Sequence, residues 1–333
     1  MDSSILKNKR ILLFAPAFFN YEKMMADKMR EMGAEVDMYD VRSVSSAFHR
    51  ALLKIHPAIF HARSKRYYQA IIERNKEKKY DFILIVKCDM TPICILKQFR
   101  QAFPIAKLCL YLYDSVKNIR GIQKKFHYFD TCHSFDSRDC KLYPELKLRP
   151  LFFADEFRKP EKNNSSYLYD ICFLGTIHSD RFKLIRQIQE LAAKHGLKCY
   201  WFLYLQSYFM YRIYKALKKE FKGVPESTFA FEKMNASDIA DVIEKSRIVL
   251  DIQHPKQTGL TMRTIEMIGM NKKIITTNPA VKEYDFYNPN NIAVVDRNDI
   301  RIDLDFLKSD YSPIPDVIYE KYSLQSWVLD VLD

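Results

Sequence analysis

The sequence predicts an α/β protein built from two doubly wound domains, and three observations carry that expectation. Short apolar runs of the kind found in buried parallel strands recur along the chain, each followed by residues at helical spacing. The pattern begins afresh at Asp170–Leu174, after a polar stretch near the middle. A length of 333 residues accommodates two domains of about 150 residues each.

The elements follow in order. Arg10–Phe19 (RILLFAPAFF) reads as a buried strand. Asn20–Glu31 reads as a helix through Met24, Met25, Lys28 and Met29, stopping at Gly33. Ala34–Val41 is a second strand. The first turn has no G-x-G-x-x-G, so a dinucleotide fingerprint is absent. Ser45–Lys79 is largely helical, broken at Pro57, and between His49 and Lys79 it holds nine Lys/Arg against two Glu. A basic amphipathic surface for anionic lipid would explain this stretch. The solvated face of a packed helix explains it better.

Tyr80–Cys88 is a third strand and Thr91–Phe103 its helix, with Pro92 near the helix start. Ala106–Tyr113, Asp130–Phe135 and Leu148–Phe153 are the fourth to sixth strands. They end in Asp114-Ser115, Asp136-Ser137 and Ala154-Asp155. The carboxyl ends of parallel strands form the binding edge of such a sheet, which makes Asp114, Ser115 and Asp136 site candidates. Helix capping by Asp and Ser is the competing explanation.

Lys159–Tyr167 (KPEKNNSSY) has linker composition. The expected division is therefore an N-terminal domain 1–158, a linker 159–168, a C-terminal domain 169–321, and a terminal helix 322–333 that packs back toward the first domain. In the second domain, Asp170–Leu174 runs into Gly175-Thr176, and a helix spans Phe182–His195, for which Asp180 is a natural cap. Lys198–Leu205 is a strand. Gln206–Phe221 mixes aromatics with lysines, a composition that fits a bilayer interface but is better explained by a core strand followed by an amphipathic helix. Phe229–Phe231 reads as a short strand, Ser237 as the cap of a helix over Asp238–Lys245, and Ala293–Asp296 as the last short strand. Tyr322–Leu332, with Trp327, closes the chain as a helix.

The most informative stretch is Asp251–Asn278. Ile248–Ile252 is a strand, His254–Gly259 a polar loop, Leu260–Met270 a helix and Ile274–Thr277 the next strand. A glycine in the loop before a helix permits close approach of an anion. The helix N-terminus, with its N–H groups and dipole, favours phosphate. Arg263 and Glu266, three residues apart, share a face near that end. One supplies a phosphate fork and the other a two-oxygen acceptor for sugar hydroxyls. A surface ion pair between the two is the plainer alternative.

The formal net charge is +12. Residues 1–160 carry 30 Lys+Arg against 18 Asp+Glu, and the remaining residues carry 23 of each, so the excess lies in the first half. This suits an anionic partner such as a phosphorylated substrate or an acidic membrane face. A nucleic-acid binder is disfavoured because the basic residues are diffuse and no recognition motif occurs. The seven cysteines contain no C-x-x-C and are odd in number. With no secretory leader pattern at the start, a reducing, cytoplasmic setting is expected. No uncharged apolar run reaches the length needed to span a bilayer.

Several strings sharpen the reading: YLYDSVKN (111–118), HSFDSRD (133–139), YDICFLGTIHSDR (169–181), QTGLTMRTIEMIGMNKKIITTN (257–278), YDFYNPNNI (284–292) and YSLQSWVLDVL (322–332). Together they resemble the bacterial GT-B glycosyltransferases of capsule, exopolysaccharide and lipopolysaccharide synthesis. The likeness covers most of the chain and is weakest near 45–80 and 205–235. It implies two Rossmann-like domains facing a central cleft, a nucleotide-sugar donor against the second and a glycan or polyprenyl-linked acceptor against the first. By this resemblance Gly175, Thr176 and Arg181 face the donor diphosphate. Gln257, Thr258, Gly259, Leu260 and Thr261 form the donor loop, Arg263 neutralises charge, and Glu266 meets ribose or sugar hydroxyls. Asp114, Asp136 and then His133 are the candidates for a base or an acceptor-orienting group.

Two departures bear on mechanism. The paired glutamates of the large retaining family, eight residues apart, are not intact, because Thr258 stands eight before Glu266. The N-terminal Gly-rich loop is missing too, so stereochemistry stays open. The fold implies no cofactor beyond the nucleotide-sugar substrate and no metal. Asp303-Leu304-Asp305 spells D-x-D but lies in an acidic tail, where it reads as chance. The peripheral inner face of the membrane follows as a candidate location from the basic first half. An inactive GT-B scaffold, and a GT-B epimerase or phosphorylase, are the rival readings.

Overall fold

A computed structural model describes residues 5–17, 20–42, 61–159, 167–255 and 258–333. The chain divides into two compact units, Met1–Leu151 with Leu324–Asp333, and Phe152–Ser323. The division falls before the 159–168 stretch singled out by composition, most of which lies outside the described residues.

Unit 1 is built on a six-stranded sheet of order β2-β1-β3-β4-β5-β6. Its strands are β1 (Arg10–Ala15), β2 (Glu35–Asp40), β3 (Phe82–Val86), β4 (Lys107–Leu112), β5 (Thr131–Ser134) and β6 (Leu146–Leu148). Every pairing is parallel. The central runs ILLFA, ILIV and LCLYL are buried throughout, as expected where helices cover both faces. The sixth strand stops at Leu148. The expected continuation to Phe153 does not form, and Phe153 instead bridges Ser323 in unit 2.

Among the described residues before Leu151, the α-helices of unit 1 are α1 (Tyr21–Glu31), α2 (His61–Asn75), α3 (Ile93–Ala102) and α4 (Ser137–Leu142). On α2 the buried residues are Ser64, Tyr68, Ile71 and Asn75, a spacing of four, three and four. Arg63, Lys65, Arg66 and Arg74 lie on its exposed face, with Lys76 exposed just past its end, so over its described part this segment is a packed helix that presents its basic residues outward. Residues 43–60, including Pro57, lie outside the described residues.

Unit 2 carries a five-stranded sheet of order β11-β10-β9-β7-β8. It comprises β7 (Tyr169–Thr176), β8 (Cys199–Tyr204), β9 (Ser246–Asp251), β10 (Lys273–Thr276) and β11 (Ile292–Val294), all paired in parallel. Its helices are α5 (Arg181–Lys194), α6 (Tyr208–Leu217), α7 (Ala236–Glu244), α8 (Met262–Gly269), α9 (Leu304–Lys308) and α10 (Asp316–Lys321). Phe229–Phe231 forms no strand of its own, only a bridge from Ala230 to Tyr204. Asn235, not Ser237, caps α7, accepting from the Asp238 N–H at 2.8 Å. Asp303 caps α9 by accepting from the Asp305 N–H at 2.9 Å, so the D-x-D string is a helix start.

The last helix, α11 (Leu324–Leu332), belongs to unit 1. Trp327 is fully buried and meets the Tyr111 ring edge-on at 4.8 Å between centroids. Arg149, also buried, pairs with Asp330 at 2.8 Å. Among the described residues no helix is long and apolar enough to cross a membrane.

Candidate functional site

Each sheet reverses its direction of strand addition once, between β1 and β3 in unit 1 and between β7 and β9 in unit 2. Such a switch point opens a crevice at the carboxyl ends of the strands. In unit 2, the segments leaving β7 and β9 bring together most of the residues expected to meet the donor.

Asp251 ends β9 and is buried. Its carboxylate accepts from the Thr261 hydroxyl at 2.9 Å and the Thr264 hydroxyl at 2.6 Å. Thr261 is also the N-cap of α8, taking the Thr264 N–H at 3.1 Å. One carboxylate thus fixes where the helix begins. The preceding loop is held from the next strand: Asn278 donates its amide to the carbonyls of Thr258 at 3.2 Å and Gly259 at 3.3 Å. Leu260 is buried beneath it. Gln257 lies outside the described residues.

The loop after β7 contributes Gly175, Thr176 and Arg181. Arg181 begins α5, yet its side chain turns back, donating to the Thr176 carbonyl at 2.8 Å and to the Ile252 carbonyl. It thereby ties the β7 and β9 ends together. A Cβ on Gly175 would stand 3.0 Å from the Phe173 ring, a tight approach, and in ordinary contact with the guanidinium at 3.6 Å. Burial pushes the Arg181 pKa down to about 10, with Arg297 and Arg263 acting in the same direction against the carboxylate of Asp251. Its buried Nε has no hydrogen-bond partner among the described residues.

Arg263 and Glu266 form an ion pair at 3.6 Å, Glu266 almost wholly buried and Arg263 partly so. The pair is therefore real, but it lies within the fold, not on a solvated surface. At that distance it is no hydrogen bond, and the buried Nη1 of Arg263 has no hydrogen-bond partner among the described residues. Two cationic forks thus retain buried, unsatisfied donors in the same unit. Buried donors in that condition cost about 1–3 kcal/mol each, which an oxyanion would relieve.

Three participants were not legible in the sequence. Arg297 binds the Asp180 carboxylate at 2.8 and 2.9 Å and the Gln253 carbonyl. Asp180 is consequently an ion-pair partner and makes no side-chain cap on α5. His178 and His254 stand with ring centroids 5.5 Å apart. Burial, then the charge of Arg181 and the neighbouring His254, press the His178 pKa down to about 4. The interruption of two apolar strands by charged loops was visible. Which loops meet depends on strand order.

In unit 1 the three base candidates separate. Asp114 follows β4 and is part-exposed, holding Lys87 at 3.3 Å and the Asn118 amide at 2.8 Å. Asp136 is fully buried as the cap of α4, accepting from the Arg138 N–H at 3.1 Å and the Ser115 hydroxyl at 2.7 Å. Its structure is that of the capping alternative. His133 lies within β5, in register with Tyr111 and Lys147, and is buried. Burial, reinforced by Lys147 and Arg149, pushes its pKa down to about 4.

That shift carries a pH prediction. The unfolded histidine takes a proton near pH 6.5 and the folded one near 4, so stability is complete above 6.5 and falls as pH drops toward 4. His133→Gln should remove up to about 3 kcal/mol of that acid sensitivity. Urea midpoints at pH 7 and pH 4.5 measure it, and an unchanged pH slope in the variant would refute the assignment.

No protein-family model matches the chain, and no curated protein matches it by sequence. Solved structures match in shape. A glycosyltransferase from Rickettsia africae ESF-5 superposes with a TM-score of 0.58 at 14% identity, covering 97% of each chain. A protein assigned as a UDP-N-acetylglucosamine 2-epimerase from Listeria monocytogenes gives 0.52 at 12% identity, over 98% of this chain and 95% of that one. The apo form of the lipopolysaccharide outer core galactosyltransferase WaaB gives 0.50 at 13%, over 96% and 97%. Identities this low speak to architecture alone, and with two parallel Rossmann-like sheets in units of similar size, the chain has the GT-B fold.

Proposed function

We propose that the protein is a glycosyltransferase whose nucleotide-sugar donor binds at the switch point of unit 2. The observation that carries this reading is the pair of buried guanidinium nitrogens, Arg181 Nε and Arg263 Nη1, left without hydrogen-bond partners among the described residues beside the capped start of α8. A diphosphate supplies the oxygens they lack, and the N–H groups and dipole of α8 add to its attraction. Glu266, ion-paired with Arg263, is the acceptor group for donor hydroxyls.

In the transfer, the bond from the anomeric carbon to the diphosphate breaks and one to the acceptor oxygen forms. Negative charge grows on the leaving diphosphate, where fixed cations lower the barrier. This reading needs no metal for that step. The acceptor proton passes to an enzymic base, for which Asp114 is the accessible carboxylate, or to the leaving phosphate. Buried Asp136 and His133 hold the framework around that edge of unit 1. A cell-surface glycan or polyprenyl-linked acceptor, handled at the cytoplasmic face of the membrane, completes the proposal, supported by the string resemblance and the shape shared with WaaB.

A thermal-shift panel of nucleotide-sugars and free nucleotides tests it. The correct donor at about 100 times its Kd should stabilise by about 3 kcal/mol, several degrees in midpoint. No shift with any member of the panel would overturn the donor site. Incubating the stabilising ligand alone and following its sugar separates the rival enzyme reading, because an epimerase converts it without an acceptor.

A further inference from the structure

The outer face of α6 does not look like the outer face of a soluble helix. Ser207 caps it, taking the Met210 N–H at 3.2 Å. Tyr211 and Tyr214 face inward, the first donating to the Val224 carbonyl at 2.9 Å, the second packing on Phe221. At about 100° per residue, Phe209, Ile213, Ala216 and Leu217 share the opposite side. Phe209 is 71% exposed and Leu217 80% exposed. The helix is thus apolar on both sides, where an ordinary surface helix would be polar outward.

Cations border this stripe. From Gln206 to Lys222 the chain holds Arg212, Lys215, Lys218, Lys219 and Lys222 against the single Glu220. Lys215 reaches the Tyr211 hydroxyl at 3.1 Å along the helix flank, whereas Lys218 turns inward over the Tyr214 ring and donates to the Ser179 carbonyl at 2.5 Å, which leaves Arg212, Lys215, Lys219 and Lys222 as the exposed cations. Beyond them Arg186, Gln189, Lys222 and Thr228 line an open cleft of about 310 Å³. Two exposed cations at this cleft, Arg186 and Lys222, match a phosphate head group.

We propose that α6, with the basic segment after it, docks unit 2 on a bilayer containing anionic phospholipid. The stripe extends about 12 Å along the helix axis, which suits a helix lying in the interface with aromatic and aliphatic side chains inserted and lysines at head-group level. Charge complementarity selects the lipid: the segment is cationic, and the cytoplasmic leaflet is anionic. Helix α2 in unit 1 is as basic, but among the described residues none of the exposed large apolar side chains lies on it. It has charge to offer and nothing to insert. This inference stands apart from the donor site.

Co-sedimentation with vesicles tests it, using phosphatidylcholine with and without about 30 mol% phosphatidylglycerol. The full-length protein should bind the anionic vesicles only, and less at high salt. Phe209→Ser/Leu217→Ser should lower partitioning at least about tenfold, with an unchanged thermal midpoint showing that the fold is intact. Arg212→Glu/Lys215→Glu should abolish it. Binding that survives both variants, or that is lost instead on neutralising Arg63, Lys65 and Arg66 of α2, would overturn the proposal. So would the absence of vesicle binding with self-association that depends on Phe209 and Leu217, since the stripe would then be an interface between copies.

Discussion

Gly269→Ala is expected to destabilise unit 2 by about 3 kcal/mol or more, in the range of severe overpacking. Gly269 ends α8, where the helix meets the segment Phe152–Phe157. A Cβ there would lie 2.3 Å from the Phe157 carbonyl oxygen and 2.6 Å from Cγ of Phe153. Neither obstacle is a flexible tip. Phe153 is fully buried, its N–H bonded to the Tyr322 carbonyl at 2.9 Å and its ring against Tyr319 at 4.8 Å. Tyr319 in turn donates to the Gly269 carbonyl at 2.7 Å, and Arg158 is clamped to Glu320 at 2.7 Å. Helix α8, the 152–158 segment and α10 are therefore one knot, and the methyl must spread it. The thermal midpoint of unit 2 should fall by about 6–12 °C. In a Phe153→Ala background the added cost should shrink, since the ring is gone, without vanishing, since the Phe157 carbonyl stays. A Gly269→Ala protein as stable as the wild type would show that the segment does not pack on α8.

The same knot shows what the sequence made legible and what it did not. Alternating apolar strands and helices announced the doubly wound sheets, because burial on both faces leaves a local signature: FILIV, KLCLYL and DICFL need no partner to be recognised. The loop before α8 was legible for the same reason, as a glycine and polar residues between an apolar strand and an apolar helix. Polar KPEKNNSSY reads as a linker because composition reports solvation, and residues 160–166 lie outside the described residues; by its contacts unit 2 begins at Phe152. LFF looks like strand, and only the contacts of Phe153 with Tyr319 and Tyr322 reveal where it belongs. Arg297 was invisible as a site residue. Its partner Asp180 lies 117 positions away, and their meeting depends on strand order, which periodicity does not encode. The burial of His133 and Asp136 was not legible for a related reason. Their position near a strand end was legible, but the depth at which each is buried is a property of the neighbouring strands and of α11.

Removing the Arg263 side chain is expected to cost donor affinity about a hundredfold, and a double-variant cycle isolates why. Two accounts of Arg263 compete: it serves Glu266, or it serves a bound phosphate. The 3.6 Å separation from Glu266 and the buried Nη1 without a hydrogen-bond partner among the described residues favour the second. A charge-assisted bond to phosphate is worth about 1.5–3 kcal/mol, which is roughly 10- to 150-fold in Kd. Arg263→Met keeps the length and apolar stem of the side chain, but it leaves the buried Glu266 without its cation, so the single variant confounds binding with a buried uncompensated charge. Glu266→Gln removes that charge at constant shape. If Arg263 only neutralises Glu266, then Glu266→Gln and Arg263→Met/Glu266→Gln will bind the donor equally. If it holds phosphate, Arg263→Met will lower affinity for free nucleoside diphosphate by a similar factor in both backgrounds, because the diphosphate lacks the sugar that Glu266 would contact. Arg181→Met should weaken binding as well and in addition lower stability, since it strips the donors from the Thr176 and Ile252 carbonyls and unties the ends of β7 and β9. Calorimetric titration with the nucleoside diphosphate and with its nucleotide-sugar, across the four proteins of the cycle, separates the roles. The guanidinium effect should appear with both ligands, and the Glu266→Gln effect only with the one that carries a sugar.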